Sequence, residues 1–166
     1  MGSNLEVHFT NKSNEWETPK LLFDELNKEF GFTLDPCCDH NNAKCEKYYT
    51  IKENGLIQDW SNEIVFMNPP YGREIGRWVE KAYRESLKGA VIVCLIPART
   101  DTKYWHDYIF PNAEIRFLKG RVKFLNNGEE TYYIEQLGLF GEEDSQVVTS
   151  DGDMPAPFPS AVVIFK

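Results

Sequence analysis

The amino-acid sequence predicts an α/β fold in which a mostly parallel central sheet is flanked by helices. Two amphipathic helix patterns, over residues 18–30 and 73–88, alternate with apolar runs. The run at 91–96 is apolar throughout and rich in β-branched residues, which is typical of a parallel strand buried on both faces. Short strand patterns then close the chain, and this order of elements favours helices layered on a parallel sheet.

The first helix is predicted to begin at Thr18-Pro19, because threonine can cap a helix and proline is tolerated at its first position. Gly31 should end it. One face of this helix is apolar and carries Leu22, Phe23, Leu26 and Phe30. A short strand at 32–34 follows and stops at Asp35. Residues 39–55 are polar, which predicts loops with at most one turn of helix.

The second helix follows a strand at 63–67 that stops at Asn68. Its pattern runs over 73–88, and Gly89 should close it. The buried stripe is predicted to consist of Ile75, Val79, Ala82, Tyr83 and Leu87.

Three further strands are predicted at 114–118, 121–124 and 161–165, after the central strand at 91–96. In parallel sheets, ligands bind beyond the carboxyl ends of the strands. Because Asp35, Asn68 and Pro97 each end a predicted strand, they should meet in one crevice.

Composition limits the domain organisation. The 166 residues are 42% hydrophobic, which suits a single domain over residues 1–166. The longest apolar run, Ala90–Pro97, is far shorter than a bilayer span, so no membrane segment is expected. The adjacent Cys37 and Cys38 cannot easily pair with each other, so reduced thiols in the cytoplasm are expected. No metal is expected, because the four cysteines lack the Cys-x-x-Cys spacing of zinc sites.

The net charge of −8 is concentrated in one segment. Residues 126–154 contain eight acids and no Lys or Arg. Without those eight, 18 of the 26 acids remain, which equals the 18 Lys and Arg. Acidity therefore does not exclude nucleic acid as a partner. The segment could be a lid or a partner site, and its composition favours a mobile, solvated insertion.

The tetrapeptide Asn68-Pro69-Pro70-Tyr71 is a candidate catalytic centre. The amino nitrogen of adenine is a poor nucleophile because its lone pair is delocalised into the ring. The side-chain carbonyl of Asn68 and the backbone carbonyl of Pro69 could accept hydrogen bonds from its two N–H groups and so localise that lone pair. The two prolines stiffen the turn, so these acceptors need little reorganisation. Tyr71 offers a flat ring on which an extruded base could stack. Alternatively, the segment is only a turn, with Asn68 as a cap and Tyr71 in the core.

The sequence resembles the phage-type DNA N-6-adenine methyltransferases, which depend on S-adenosylmethionine. The Asn-Pro-Pro-Tyr signature is also found in enzymes that methylate guanine or protein glutamine, and further segments narrow the resemblance. In order, these are Trp16-Glu17-Thr18-Pro19, Leu34-Asp35-Pro36-Cys37-Cys38 and the segments 55–60, 97–101, 116–121 and 156–160. The resemblance covers nearly the whole chain except about the first dozen residues and the acidic segment. It implies an abbreviated Rossmann-like methyltransferase fold.

The resemblance also implies residue roles. The target base would be handled by Asn68, Pro69, Pro70 and Tyr71. Thr18 and Pro19 would line the methionine end of the cofactor, and Asp35 would contact the methionine amino group or a water bound there. The other cofactor-binding residues would be Trp16, Pro36 and Cys37. Asp59 would accept a hydrogen bond from the adenine amine of the cofactor. In the alternative interpretation, Thr18 only caps a helix, Asp35 only holds a turn and Asp59 is a surface acid.

The cofactor half departs from the family pattern in two ways. The glycines that usually follow the Asp-Pro motif are replaced by Asp39-His40-Asn41-Asn42. Only 24 residues separate Asp35 from Asp59, too few for two strands and two helices. This half of the fold is therefore expected to be abbreviated.

Basic residues are predicted to contact the phosphates of double-stranded DNA. Lys119, Arg121 and Lys123 alternate and would share one face of an extended segment, and Arg99 and Lys103 could join them. A solvated strand face is the alternative. The short chain leaves little room for a separate recognition domain, so sequence specificity is expected to be loose or to need a dimer. The expected state is a monomer or a homodimer.

The sequence thus favours a site-specific DNA adenine-N6 methyltransferase, a phage or prophage protein in the cytoplasm of a bacterial host. One alternative is a methyltransferase of RNA or protein glutamine. Another is a non-catalytic nucleic-acid-binding or zinc module that retains the fold.

Overall fold

The computed structural model describes residues 16–122 and 156–166, which form a mixed α/β fold. The elements in chain order are α1 (Lys20–Phe30), β1 (Leu34–Asp35), β2 (Lys47–Tyr48), a 3₁₀ turn (Gly55–Ile57), β3 (Ile64–Met67), α2 (Ile75–Ser86), β4 (Val91–Pro97), a π-helical turn (Trp105–Ile109), α3 (Phe110–Asn112), β5 (Glu114–Phe117) and β6 (Ser160–Phe165). None of the helices in these two ranges is long and apolar enough to cross a bilayer.

The sheet is mixed, so the prediction of a mostly parallel sheet is not confirmed. Its strand order is β2-β1-β3-β4-β6-β5. The pairings β1–β2, β1–β3 and β3–β4 are parallel, whereas β6 is antiparallel to both β4 and β5. β6 lies between these two strands and pairs with six residues of β4, from Ile92 to Pro97. Strand direction is not encoded in an apolar run, which explains why the pattern could not reveal it.

The core lies on both faces of β3, β4 and β6. All six residues of β6 are buried, as are residues 92–97 of β4. From α1, Leu22, Phe23 and Leu26 pack into this core, as the helical pattern predicted.

The start of α1 differs from the prediction. Gly31 ends the helix in the left-handed conformation, with φ of 69°, as expected. However, the helix begins at Lys20, Pro19 is the N-cap, and no side chain caps it. Thr18 is buried and contacts Asn68 instead. The prediction that Thr18 caps this helix is therefore wrong.

α2 is shorter than its predicted range. It ends at Ser86, so Leu87 falls outside the helix and is 70% exposed, contrary to the predicted stripe. The buried face includes Trp78 and Glu85 instead. The Glu85 carboxylate accepts hydrogen bonds from Lys81, Lys88 and the backbone N–H of Trp60, which is how a charge is tolerated there.

The remaining differences concern short or distant segments. β2 lies within residues predicted to be loops, and the helical residues 103–112 had no prediction. Arg121 and Val122 are not in a strand, and the rest of the strand predicted at 121–124 lies outside the described residues. So does the acidic segment 126–154. The described chain stops at Val122 and resumes at Ala156, and the Ala156 N–H donates to the Val122 carbonyl at 3.0 Å.

Candidate active site

The candidate site lies at the carboxyl ends of β1, β3 and β4. These strands pair in parallel, so their ends face the same edge of the sheet. Asp35 is the last residue of β1, Asn68 directly follows β3, and Pro97 is the last residue of β4. The three residues predicted to end strands therefore share one edge.

The Asn68 amide is held in one orientation. Its Nδ2 donates to the backbone carbonyl of Trp16 and to Oγ1 of Thr18 at 2.9 Å. A carbonyl oxygen can only accept, so the amino side of the amide must face the N-terminal segment. Asn68 Oδ1 then faces away from these partners. It is buried, and no group in the described residues donates to it.

A buried acceptor without a donor costs about 1–3 kcal/mol. The alternative interpretation made Asn68 a helix cap, but α2 is capped by Glu74 without a side-chain hydrogen bond. That part of the alternative is wrong. The arrangement instead presents an oxygen that a ligand amino group could satisfy.

Tyr71 is packed into the core, as the same alternative predicted. Its ring is only 3% exposed, and its hydroxyl donates to the Leu95 carbonyl at 3.0 Å. Burial raises the pKa of the phenol well above its usual value, although Arg99 opposes this shift. Pro69 is buried and Pro70 is exposed. The turn is therefore anchored to β4 through Tyr71.

Phe158 is a site residue that the sequence did not single out. Its ring makes edge-to-face contacts with Trp16 at 5.4 Å and Tyr71 at 5.5 Å between centroids. The Arg99 guanidinium carbon lies 5.6 Å from the centre of the same ring. The segment Ala-Pro-Phe-Pro-Ser had matched the family pattern, and this was the only signal that pointed to it.

Asp35 lies beside this turn and is 4% exposed. Its two carboxylate oxygens accept from the backbone N–H groups of Lys44, at 3.0 Å, and Cys37, at 3.4 Å. Burial raises the pKa of Asp35, and these hydrogen bonds partly counter the shift. Asp35 thus holds the loop that stands where the family glycines are missing.

Cys37 connects this loop to the turn formed by residues 68–71. Its thiol faces the backbone N–H of Asn68, and burial is the main reason why its pKa lies well above the usual value. The thiol is therefore neutral. No group of three His, Cys, Asp or Glu side chains within the described ranges is placed to hold a metal ion.

Two further contacts hold the loop that follows Asp35 against its neighbours. A Cβ atom on Gly55 would lie 2.0 Å from the Pro36 carbonyl oxygen, so only glycine fits there. Lys44 Nζ pairs with a Glu17 carboxylate oxygen at 3.3 Å, and both side chains are partly buried. This ion pair ties the loop to the N-terminal segment that also holds Asn68.

Comparison with known proteins identifies the family. The family model for DNA N-6-adenine-methyltransferase (Dam) matches residues 6–136. The chain belongs to this family. It is 28% identical to the DNA N-6-adenine-methyltransferase of Escherichia phage T1 over 135 residues, which cover 80% of this chain and 56% of the phage protein. It is also 43% identical to YfdM of Escherichia coli K12, a candidate methyltransferase, over 65 residues, or 35% of this chain and 71% of that protein.

Asp59 is not brought to the site in this Dam-family chain. Its carboxylate, 72% exposed, accepts from the backbone N–H and the hydroxyl of Ser61. The Ser61 hydroxyl is also the main reason why the pKa of Asp59 is lowered. The nearest cation is Lys88, at 3.9 Å, which lies past the far end of α2 from Asn68. Asp59 therefore lies toward the opposite edge of the sheet.

The predicted DNA-contacting residues of this Dam-family chain are spread over its surface. Arg99 Nη1 donates to the Tyr71 carbonyl at 3.4 Å, which places it at the site. Lys103 is 89% exposed and lies 3.7 Å from Asp107. Lys119 and Arg121 are exposed, and Lys123 lies outside the described residues.

Proposed function

We propose that this chain is a DNA adenine-N6 methyltransferase that uses S-adenosylmethionine as methyl donor. The observation that supports this most directly is the buried, unpartnered Oδ1 of Asn68. Within a family named for adenine N6 methylation, a fixed acceptor at this position matches the chemistry that the amine requires. The matched region spans little more than half of the phage T1 relative, so the activity of the whole protein is part of the proposal.

In the proposed reaction, Asn68 Oδ1 and the Pro69 carbonyl accept hydrogen bonds from the two N–H groups of the adenine amine. This favours a pyramidal nitrogen with a localised lone pair. S-adenosylmethionine, when bound, supplies a methyl group on a positively charged sulfur. That methyl group would pass to the nitrogen lone pair that Asn68 and Pro69 localise, the sulfur would keep the electron pair of the bond it loses, and the amine would release one proton to water. The Trp16 and Thr18 contacts keep the Asn68 amide from rotating during this step.

The residues on either side of Asn68 would hold the cofactor. Thr18 contacts the Asn68 side chain, and Cys37 faces its backbone N–H. These contacts support the proposed cofactor-binding set of Trp16, Thr18, Pro19, Asp35, Pro36 and Cys37. We leave Asp59 out of this set because of its position. The six-stranded mixed sheet with parallel strands β1, β3 and β4 is compatible with an abbreviated Rossmann-like methyltransferase fold.

Double-stranded DNA is the proposed substrate. Arg99 is the basic residue in contact with the catalytic turn and would bind a phosphate close to the target base. Lys103, Lys119, Arg121 and Lys123 would contact more distant phosphates. The phage relative supports action in a bacterial host, and the proposed form is a monomer or a homodimer in the cytoplasm of that host.

The test is methyl transfer from labelled S-adenosylmethionine to unmethylated phage DNA, RNA or protein, followed by digestion. We expect N6-methyladenine in the DNA pool. Label in the RNA pool or on protein glutamine would show that the substrate is RNA or protein and not DNA. Absence of label from every pool, together with no cofactor binding by calorimetry, would show that the chain is not this enzyme.

A further inference from the structure

The catalytic turn is closed in this structure. Asn68 Oδ1 is buried and the Tyr71 ring is only 3% exposed. An adenine that stacks on Tyr71 and donates to Asn68 needs a flat space beside both groups. Some other group must therefore leave before the base can enter.

Phe158 is the aromatic side chain that lies against Tyr71 from the end of the chain. Its ring is 8% exposed and contacts Tyr71, Trp16 and Arg99. Trp16 is also the residue whose carbonyl holds the Asn68 amide. Phe158 thus touches three groups around the position where the base would lie.

The backbone around Phe158 is fixed, so its side chain is the part that can move. Phe158 lies between Pro157 and Pro159, which restrict the chain. The Ala98 N–H donates to the Pro159 carbonyl at 2.8 Å, and Ala156 is held by its bond to Val122. A change of rotamer at Phe158 would open the space beside Tyr71 without breaking these bonds.

We propose that the Phe158 ring occupies, in the protein without DNA, the place that the target adenine takes beside Tyr71. This inference rests on the proposed function. One aromatic ring replaces another, so the adenine packs against Tyr71 and Arg99 where the Phe158 ring packs in its absence. Phe158 is then a positioning residue, and its displacement limits access to Asn68.

The test uses adenosine as a probe of the base site and Phe158→Ala as the variant. The protein is first saturated with S-adenosylhomocysteine, so that adenosine cannot enter the cofactor site. Removal of the ring leaves an open, flat cavity, and calorimetry should show adenosine binding on the order of tenfold tighter than in the natural protein. The double variant Phe158→Ala with Asn68→Ala should lose this gain, which would locate the adenosine at the turn.

Phe117→Ala is the matched control, because Phe117 is an exposed ring that stacks on Trp105 at another part of the molecule. It should leave adenosine binding unchanged. If Phe158→Ala does not fold, Phe158→Leu is used in its place. Phe158→Leu should also bind adenosine more tightly than the natural protein. Unchanged or weaker adenosine binding in a Phe158 variant that still binds S-adenosylhomocysteine would overturn the inference alone. Failure of the natural protein to bind S-adenosylhomocysteine would count against the proposed function instead.

Discussion

The turn formed by residues 68–71 and the loop that follows Asp35 both present a buried polar side chain at the end of a strand, but they use it differently. At the turn, the donors of the Asn68 amide are engaged by the chain, and its acceptor oxygen has no partner among the described residues. At the loop, both oxygens of Asp35 accept from backbone N–H groups. Asn68 therefore keeps hydrogen-bonding capacity for a ligand, whereas Asp35 uses much of its capacity within the fold.

This difference follows from how each region is supported. Asn68 extends from a buried strand, and the N-terminal segment and β4 brace the turn from two sides. The segment from Asp35 to Asp59 has no long element of its own, and loop contacts such as Gly55 against Pro36 take the place of a helix. We expect substitutions at the turn to affect chemistry and substitutions at the loop to affect folding and cofactor binding together.

The largest effect is expected for Asn68→Ala. Loss of the acceptor should lower the rate of methyl transfer by about 10²–10³-fold or more, while calorimetry should find cofactor affinity within about twofold of the natural protein. Asn112→Ala removes an exposed amide that bonds to Tyr108 and should retain full activity. Methyl transfer that survives Asn68→Ala would assign the chemistry to another residue.

Gly55→Ala should disrupt the loop region most. The new Cβ would collide with the Pro36 carbonyl, and we expect a loss of about 1–3 kcal/mol in the free energy of unfolding together with weaker cofactor binding. Gly76→Ala is the matched control, since its Cβ would lie 3.6 Å from Tyr104 in ordinary contact. That variant should be unchanged or about 0.5–1 kcal/mol more stable, because alanine favours helix. Urea unfolding measures the stability of both variants. Equal losses of stability would show that the contact between Gly55 and Pro36 is no more sensitive than that at Gly76.

Asp35→Asn should change how stability depends on pH. Burial raises the pKa of Asp35 in the folded state above the unfolded value. The resulting contribution to stability is fully present below the ordinary carboxyl pKa and is lost as the pH rises through the raised folded pKa. Relative to the natural protein, the variant should therefore gain stability as the pH rises from about 4, the ordinary carboxyl pKa, through the raised pKa of the folded state, as measured by urea unfolding. A relative loss over that range would mean that its hydrogen bonds outweigh burial.

Arg99→Gln should weaken DNA binding by roughly tenfold and lower the slope of log affinity against log salt by about one. Lys103→Gln should cost about twofold or less, since Lys103 is highly exposed and lies near Asp107. Fluorescence anisotropy over a salt series compares them. Equal losses of DNA affinity in the two variants would contradict the proposal that Arg99 binds the phosphate closest to the target base.

The smallest effect is expected for Asp59→Asn. Its carboxylate is exposed and bonded to Ser61, away from Asn68, so cofactor affinity should stay within about twofold. A loss of about tenfold by calorimetry would restore the adenine-binding role that the family resemblance implied, and would require the loop to rearrange when the cofactor binds.

Local patterns predicted the elements with long apolar faces. The stripe of α1, the strands β3, β4 and β6 and the left-handed Gly31 were all accessible to such reasoning. β2 was not, because a two-residue edge strand has no periodicity. Thr18 was misassigned because a capping threonine and a threonine that accepts from Asn68 look the same in sequence.

The candidate site divides in the same way. Asn68 could be found because its motif is contiguous and follows an apolar strand. The contact of Phe158 with Tyr71 and that of Gly55 with Pro36 depend on distant parts of the chain meeting, and no local pattern reports that. The role of Asp59 stays a prediction, since its motif matches the family pattern while its exposed carboxylate bonds to Ser61 and lies away from Asn68.

The hydrogen bond between Val122 and Ala156 has a consequence for how sequences of this kind can diverge. Because Val122 and Ala156 are held next to each other, the number of residues between them can change without shifting the register of β5 on β6. The entropic cost of lengthening such a connection grows only logarithmically, by about 0.6 kcal/mol per doubling. At this junction we therefore expect chain length to vary among relatives while the strands around the candidate site stay in place.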